Sequence, residues 1–196
     1  MSIDISQVLG WGVLLAAGHG RRAGGPKALK RVNGELWWRT QALAMTGSVD
    51  HVVVVLHRLA WPDADDAPSN VTALVGDPDA TQLASLQAAL ALVPAGLAAL
   101  VLPVDCPWPG AAVATALLRA VRSDWLAVRP LVQTESQNRR GHPILLLPLG
   151  IQQVAALDSR CDRLDHWLAS RGQAVGEVSV DSLAVLANCN YDGHSQ

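Results

Sequence analysis

The segment HVVVVLH, at His51–His57, is the feature that most limits the folds open to this chain. It is short, rich in β-branched residues and apolar at successive positions, so side chains on both faces of the strand must be buried. Strands of this kind are typical of a parallel sheet that carries helices on both sides. Other apolar runs alternate with helical segments along the chain, which predicts a three-layer α/β sandwich.

The predicted elements follow one another without an evident linker or internal repeat. Strands are expected at positions 8–17, 51–57, 71–75, 97–104, 125–132, 142–147, 175–180 and 184–190. Helices are expected at positions 36–46, 81–92, 111–122, 151–157 and 161–170. A chain of 196 residues is long enough to bury a core of its own, so we expect a single domain over residues 1–196.

Composition narrows the class of protein further. Half of the residues are hydrophobic, 16% are charged and the formal net charge is −2, which excludes a disordered chain and gives no overall attraction to nucleic acid or an anionic membrane. The uncharged run at positions 88–104 is divided by Pro94, Gly96 and Pro103, so it does not predict a membrane span. Three cysteines without a secretory leader predict a cytoplasmic protein with reduced thiols.

A glycine-rich basic loop, within LLAAGHGRRAGGPKAL at Leu14–Leu29, follows the first predicted strand. Glycines allow bare N–H groups to approach an anion, and a helix that begins after the loop adds the positive end of its dipole. Arg21, Arg22 and Lys27 add full positive charges. The loop therefore predicts a phosphate site, although glycine motifs alone are also found in ordinary strand-to-helix turns.

The segment agrees only in part with two general phosphate-binding loops. A Walker loop does not fit, because Pro26 precedes the lysine and no Ser or Thr follows it. The dinucleotide fingerprint G-x-G-x-x-G/A is met, but the second strand ends in His57 and Arg58 rather than in an acid that could bind a ribose. One alternative function therefore remains, that of an NADP-dependent oxidoreductase in which Arg58 binds the 2′-phosphate of the cofactor. It leaves the segment from Gly24 to Lys27 unexplained.

Positions 15–27 resemble the signature L-A-A-G-x-G-x-R-M-G-x-P-K of the molybdenum-cofactor-type nucleotidyltransferases, with Ala23 at the usual methionine. The resemblance implies a Rossmann-like, mostly parallel mixed sheet of the nucleotide-diphospho-sugar transferase type. It also implies Mg²⁺-dependent transfer of an NMP from an NTP, in which Arg22 and Lys27 act in catalysis. The implied nucleotide-binding residues are Leu15, Ala16, Ala17, Gly18, Gly20, Arg21, Gly24 and Ser85.

Asp105, in LPVDCP, stands at the end of an apolar strand. An Asp there can be a turn former or a helix cap, but the carboxyl end of a central strand is also where a magnesium ligand belongs. The resemblance implies that Asp105 is the catalytic metal ligand. It gives Asn190, in NCNYD at positions 188–192, as a second ligand and Asp192 as a possible acceptor-site residue, although the Thr-Pro-Glu that usually follows is missing.

Three other segments carry expectations. His142, in RRGHPILL, resembles the family's G-H-P turn, which implies contact with acceptor or product phosphate; a purely structural turn is the alternative. Ser85 matches the family pattern in TQLASLQAAL, whereas Gly76-Asp77 and Thr81 depart from it; without the resemblance, Ser85 would be interpreted as a helix residue that faces solvent. Positions 158–167 are expected to form a solvated amphipathic helix, and the Trp37-Trp38 pair is expected to serve in packing.

The resemblance favours CTP, because Leu-Ala-Ala-Gly is the form of the cytidylyl branch, while Asn188-Cys-Asn190 points to GTP. The expected partners are an NTP and a phosphate-bearing acceptor, with molybdopterin favoured by family prevalence and a molybdoenzyme as a potential protein partner. Neither nucleic acid nor a membrane is expected to bind. A non-catalytic nucleotide or cofactor carrier that serves molybdoenzyme maturation is the second alternative.

Overall fold

The computed structural model describes residues 10–20, 24–63 and 68–188, and its centre is a mixed eight-stranded sheet. The strand order is β10-β7-β9-β6-β1-β4-β5, and β8 pairs with β7. The sheet strands are β1 (Gly10–Ala16), β4 (His51–His57), β5 (Val71–Gly76), β6 (Ala98–Pro103), β7 (Ala127–Gln133), β8 (Asn138–Arg140), β9 (Ile144–Leu146) and β10 (Val175–Ser179). A separate hairpin joins β2 (Arg31–Val32) to β3 (Glu35–Leu36).

Most neighbouring strands run parallel, as predicted. β1 pairs in parallel with β4 and β6, β4 with β5, and β7 with β10. β9 is antiparallel to both β6 and β7, and β8 is antiparallel to β7. Because β1 lies between β4 and β6, the chain builds the sheet in opposite directions from β1. This change of direction opens a crevice at the carboxyl ends of β1 and β6, where α/β sheets bind their ligands.

Helices cover both faces of the sheet and complete the predicted three-layer sandwich. They are α1 (Trp37–Thr46), α2 (Gln82–Leu90), α3 (Ala111–Arg119), α4 (Pro148–Ala155) and α5 (Leu164–Ser170). Helices α1 and α3 pack with Leu14 and Leu100 on one face, whereas α2, α4 and α5 pack with Val13 and Val101 on the other. This division follows from the alternation of side chains along each strand.

Helix α1 shows how the sequence directs packing. Trp38, Ala42 and Met45 are spaced i, i+4 and i+7, so they form one stripe, and each is at most 1% exposed. Truncating a buried tryptophan such as Trp38 to alanine costs about 3–5 kcal/mol in comparable cores. No helix in the described part of the chain is long and apolar enough to cross a membrane.

One sequence-based expectation about secondary structure is wrong, and one expected helix is present but starts three residues late. The expected strand at 184–190 is, over its described part, a 3₁₀ turn at Leu183–Leu186, and Val185 O accepts a hydrogen bond from His142 N at 2.9 Å. The expected helix at 161–170 begins only at Leu164. The side chain of Asp158 accepts a bond from Arg160 N at 3.0 Å, and such local bonds compete with the helix backbone.

Candidate nucleotide-binding site

The glycine loop leaves β1 at Ala17 and is closed at its neck by a backbone hydrogen bond. Gly25 N donates to Gly20 O at 3.2 Å, and Gly20 has a φ of 60°. A Cβ atom on Gly20 would lie 1.9 Å from Gly25 O, so only glycine fits this crossing. At the end of β5, on the far side of β4, a Cβ on Gly76 would lie 2.5 Å from Ala17 Cβ. Glycines therefore allow the loop to close and β5 to pack beside it.

Asp105 lies in a tight turn directly after β6, in the crevice beside β1. Val104 N donates to Leu15 O at 2.9 Å, and Cys106 N donates to Pro103 O at 2.9 Å, so Val104 and Asp105 occupy the centre of the turn. The Lys27 ammonium group donates to Asp105 Oδ2 at 3.3 Å. The side chain of Lys27 is 12% exposed and that of Asp105 is 32% exposed, so the pair is partly withdrawn from water but open on one side.

A pocket of about 260 Å³ lies between the glycine loop and this turn. Helix α2 and the end of β5 complete its walls. The lining residues are Leu15, Ala17, Gly18, Gly20, Lys27, Asp77, Ala80, Gln82, Ser85, Pro103, Val104 and Asp105. Seven of the predicted site residues are thus brought together here: Leu15, Ala17, Gly18, Gly20, Lys27, Ser85 and Asp105.

Other predicted site residues lie elsewhere or beyond the described residues. Ala16 is 1% exposed and belongs to the core beneath the loop, while Gly24 is exposed and does not line the pocket. Four predicted residues lie outside the described residues, namely Arg21, Arg22, Asn190 and Asp192.

A second and larger pocket of about 650 Å³ adjoins the first. The two pockets share Leu15, Gln82, Pro103 and Asp105. Its floor includes apolar side chains of β6 and β9, and one wall is the polar segment that runs from 159 to 165. Asp105 therefore lies where the two pockets meet.

His142 lines the larger pocket. Its Nδ1 atom is buried and makes no hydrogen bond with the described residues. Burial lowers the pKa of His142, and the negative charge of Asp105 opposes that shift without cancelling it. A pKa lowered from the ordinary histidine value favours the neutral ring of His142 at pH 7, and this ring lines the pocket in which a second molecule could bind.

The segment between α4 and α5 is a turn that forms part of the larger pocket, rather than the expected solvated helix. Arg160 pairs with Asp158 at 2.9 Å, and Arg163 pairs with Asp165 at 2.9 Å. Four residues in a row at this wall, Arg160 to Arg163, are polar or thiol-bearing and line the pocket. The segment thus brings both signs of charge to the pocket's mouth.

Helix α2 is held in place between the two pockets by side chains at both ends. Thr81 caps it by accepting from Ala84 N at 3.1 Å and also donates to Ser159 O at 2.8 Å. Gln87 Nε2 donates to the carbonyl oxygens of Val154 and Leu157. Ser85, on this helix, is half-buried and lines the smaller pocket, so the interpretation of Ser85 as a simply solvent-facing residue is not supported.

Arg58, the residue that the dinucleotide alternative requires, lines a third pocket of about 300 Å³ together with His19 and His57. That pocket shares Asp77 with the smaller pocket but does not include Lys27 or Asp105. His19 Nε2 lies 2.9 Å from Asp79 Oδ1 and so connects the glycine loop to the turn before α2.

Sequence reasoning missed three features of the site. Asp77 and Gln82 line the smaller pocket, although only Gly76-Asp77 at the end of a predicted strand gave any signal of this. Trp37, expected to serve only in packing, packs against the core and also donates from Nε1 to Val104 O at 2.7 Å. Gln41 Oε1, which is almost completely buried, accepts from Trp108 N at 2.6 Å.

Together, the mixed sheet, the glycine loop and the carboxylate at the end of the neighbouring strand define a nucleotidyltransferase-type α/β protein. The sequence matches the family model of the MobA-like NTP transferase domain over residues 12–175. The chain therefore belongs to this nucleotidyltransferase family, whose members bind NTP substrates. No curated protein matches the sequence at a significant level.

Solved structures with the same fold come from several organisms. Rv0371c of Mycobacterium tuberculosis has a TM-score of 0.72 at 23% identity, with 91% of this chain and 92% of that chain covered. A nucleotidyl transferase from Methanothermobacter has a TM-score of 0.71 at 18% identity, with 93% and 92% covered. The 4-diphosphocytidyl-2C-methyl-D-erythritol synthase of Anaerococcus prevotii has a TM-score of 0.68 at 12% identity, with 91% of each chain covered. These likenesses establish the fold.

Proposed function

We propose that this protein transfers CMP from CTP to a phosphate monoester on a small acceptor, with molybdopterin as the favoured acceptor, and releases pyrophosphate. The observation that carries the proposal is the Lys27–Asp105 ion pair at the meeting point of two adjoining pockets. A cation suited to phosphate and a carboxylate suited to a metal ion face each other where the α-phosphate must react.

The residues present fit a divalent metal ion that is held jointly with the nucleotide. Within the described ranges no group of three or more His, Cys, Asp or Glu residues is placed to hold a metal by itself. Magnesium is commonly bound by one or two carboxylates together with substrate phosphates. Asp105 would hold the ion, with Asn190 as its proposed second ligand. A manganese complex of Rv0371c, a structural neighbour at 20% identity and a TM-score of 0.68, with 88% of each chain covered, is consistent with a divalent ion.

The chain's own groups have distinct roles in the proposed reaction. Backbone N–H groups of the glycine loop would bind the β- and γ-phosphates, with Arg21, Arg22 and Lys27 neutralising their charge. When the triphosphate binds, Lys27 would move from Asp105 towards phosphate oxygens and free the carboxylate. A divalent ion held by Asp105 would supply positive charge to offset that of the phosphates.

The chemical step needs no general base. A phosphate monoester is already anionic at neutral pH, so its oxygen attacks the α-phosphorus as the bond to the β-phosphate oxygen breaks and pyrophosphate leaves. Rate enhancement then comes from positioning and charge neutralisation. The neutral His142, in the larger pocket, would contact the acceptor or its phosphate, and Asp192 is a further proposed acceptor-site residue.

The choice of CTP depends on Leu15-Ala-Ala-Gly18, because this part of the loop approaches the nucleotide directly, and Ala17 and Gly18 line the smaller pocket. The diphosphocytidyl product in the name of the Anaerococcus enzyme agrees with this choice. GTP ranks second, since Asn188 and Asn190 match the guanylyl branch. The larger pocket, next to Asp105, is the proposed acceptor site.

The incomplete NCNYD segment, which lacks the family's Thr-Pro-Glu, favours one alternative, a carrier that binds nucleotide or cofactor without turnover for a molybdoenzyme. Thermal-shift titration with CTP, GTP, ATP, UTP and NADPH, with and without Mg²⁺, followed by assay of pyrophosphate release with molybdopterin, separates the possibilities. The proposal predicts Mg²⁺-dependent stabilisation by CTP and pyrophosphate release. Metal-independent binding without turnover would favour the carrier, and stabilisation by NADPH alone would favour the oxidoreductase.

A further inference from the structure

The turn that carries Asp105 is held from behind by two side chains of helix α1. Trp37 Nε1 donates to Val104 O at 2.7 Å, on the upstream side of Asp105, and Gln41 Oε1 accepts from Trp108 N at 2.6 Å, on the downstream side. Trp37 and Gln41 are four residues apart, so they lie on one face of the helix. This face therefore holds both ends of the segment that contains Asp105.

The bond to Val104 O fixes the orientation of Asp105 in particular. The carbonyl group of Val104 belongs to the peptide plane that ends at the nitrogen of Asp105, and planar peptides move as units. Val104 and Asp105 are the two central residues of the turn, where peptide rotation redirects the following side chain. Holding this carbonyl therefore holds the direction in which the Asp105 carboxylate leaves the backbone.

The same turn of α1 is also tied to the glycine loop. Trp37 N donates to Lys30 O at 2.7 Å, and Lys30 follows Lys27 through the short 3₁₀ turn at Lys27–Leu29. The backbone nitrogen of Trp37 is thus bonded to the lysine side of the site, and its indole nitrogen to the aspartate side. One residue sets the separation between the two segments whose side chains meet in the Lys27–Asp105 pair.

We infer that Trp37 and Gln41 are positioning residues that hold the carboxylate of Asp105 in its metal-binding orientation; this inference rests on the proposed function of Asp105. Neither residue lines the pocket of about 260 Å³ or the pocket of about 650 Å³, so both act through the backbone of the turn. Groups that orient a metal ligand in this way typically change metal affinity or activity by about 10- to 100-fold when removed.

The chain offers a matched control in Trp38. Trp38 is the next residue of the same helix and is fully buried, and its Nε1 makes no hydrogen bond with the described residues. Trp37→Phe and Trp38→Phe therefore remove the same atoms, but only Trp37→Phe removes a bond to the Asp105 turn. A general loss of packing affects both variants, whereas a loss of positioning affects only one.

The test measures pyrophosphate release from CTP and acceptor at increasing Mg²⁺ for wild type, Trp37→Phe, Trp38→Phe and Gln41→Met. In Trp37→Phe we expect the half-saturating Mg²⁺ concentration to rise about tenfold and kcat to fall, with the KM for CTP at saturating Mg²⁺ within about twofold of wild type. Gln41→Met is expected to change the same quantities. Trp38→Phe should leave the Mg²⁺ requirement unchanged, whatever its melting temperature.

A second readout, independent of activity, is hydrogen–deuterium exchange of the Cys106 and Trp108 amides. These amides should exchange faster in Trp37→Phe and Gln41→Met than in wild type or Trp38→Phe. Equal Mg²⁺ requirements and equal exchange in the two phenylalanine variants would overturn the inference. Asp105→Asn in the same assay separates the proposed role of Asp105 from the proposed role of Trp37. A Mg²⁺ requirement that this substitution leaves unchanged would overturn the role of Asp105. Amide exchange would still decide whether Trp37 holds the turn.

Discussion

The ammonium nitrogen of Lys27 lies 3.3 Å from Oδ2 of Asp105, although the two residues are 78 positions apart in the chain. The pair connects the exit of the glycine loop to the turn after β6, across the point where the sheet changes direction. In the free protein each charge compensates the other in a partly buried crevice. Binding of a nucleotide with its metal ion would give both groups new partners.

Replacing Lys27 with methionine keeps the length and bulk of the side chain and removes its charge. We expect kcat/KM for CTP to fall by about 10²- to 10³-fold, because a charge aimed at the reacting phosphates is lost. Steady-state pyrophosphate release measures the effect. Lys30→Met is the matched control, since Lys30 does not line the smaller pocket, and an equal loss in both variants would contradict the proposed role of Lys27.

Gly20→Ala tests the closure of the glycine loop. The added Cβ would meet Gly25 O at 1.9 Å, so the neck must open. We expect a loss of about 1–3 kcal/mol in the free energy of unfolding, from urea titration, and no stabilisation by CTP. Gly24 has a similar positive φ of 74°, but a Cβ at this position would meet nothing within 4 Å. Gly24→Ala should therefore lower the free energy of unfolding less than Gly20→Ala does, and CTP should still stabilise it. Loss of stabilisation by CTP in both variants, or in neither, would argue against the role of the neck.

Thr81→Val should impair binding in the larger pocket more than binding in the smaller pocket. The substitution removes the cap of α2, worth about 1 kcal/mol, and the bond to Ser159 O in the wall of the larger pocket. We expect the KM for the acceptor to rise more than the KM for CTP in steady-state assays. Thr81→Ser retains the hydroxyl group and should restore both values. A larger effect on CTP than on the acceptor would show that the larger pocket is not the acceptor site.

The stability of the protein should fall as the pH decreases below about 6.5, the ordinary pKa of histidine. Burial lowers the pKa of both His57 and His142, with His19 and Arg58 contributing at His57. Between pH 6.5 and the lowered pKa, the unfolded chain binds protons that the folded chain excludes. The free energy of unfolding therefore has its full value above about pH 6.5. Below that pH it declines by at most about 1.4 kcal/mol for each histidine and each pH unit.

Urea unfolding at pH 7.5 and pH 5.5 measures this decline. His57→Asn provides the comparison, because its Oδ1 can accept the bond that His57 Nδ1 now accepts from Leu59 N. The variant should lose less stability between the two pH values than wild type does. Equal losses would mean that burial of His57 does not contribute.

The sequence identified the parts of the fold that depend on local patterns. The strand His51–His57 was predicted with the correct bounds, because a short run of β-branched apolar residues strongly favours a buried strand. The Asn33-Gly34 pair is an equally local signal, because Asn-Gly is typical of a tight hairpin turn. Both residues have the positive φ values, 53° and 86°, that such a turn needs. The hairpin was missed because its strands are only two residues long.

The missed parts depend on contacts between distant segments. The bond from Trp37 to Val104 O spans 67 positions, and nothing in the residues near Trp37 indicates it. Similarly, the backbone at Val185 accepts from His142 N, which a strand-like composition at 184–190 does not reveal. The candidate site was predicted where a family signature existed, at the glycine loop and Asp105. Its larger pocket, formed partly by a turn that looked helical, was not.

The joint binding of a nucleotide and its divalent metal ion by Lys27 and Asp105 is the core of the proposed function. Calorimetric titration of CTP into wild type and Asp105→Asn, each with Mg²⁺ and with EDTA, tests it most directly. We expect wild type to bind CTP at least about tenfold more tightly with Mg²⁺ than with EDTA, and we expect Asp105→Asn to abolish this difference. Equal CTP affinity in all four titrations, or an undiminished effect of Mg²⁺ in Asp105→Asn, would contradict it.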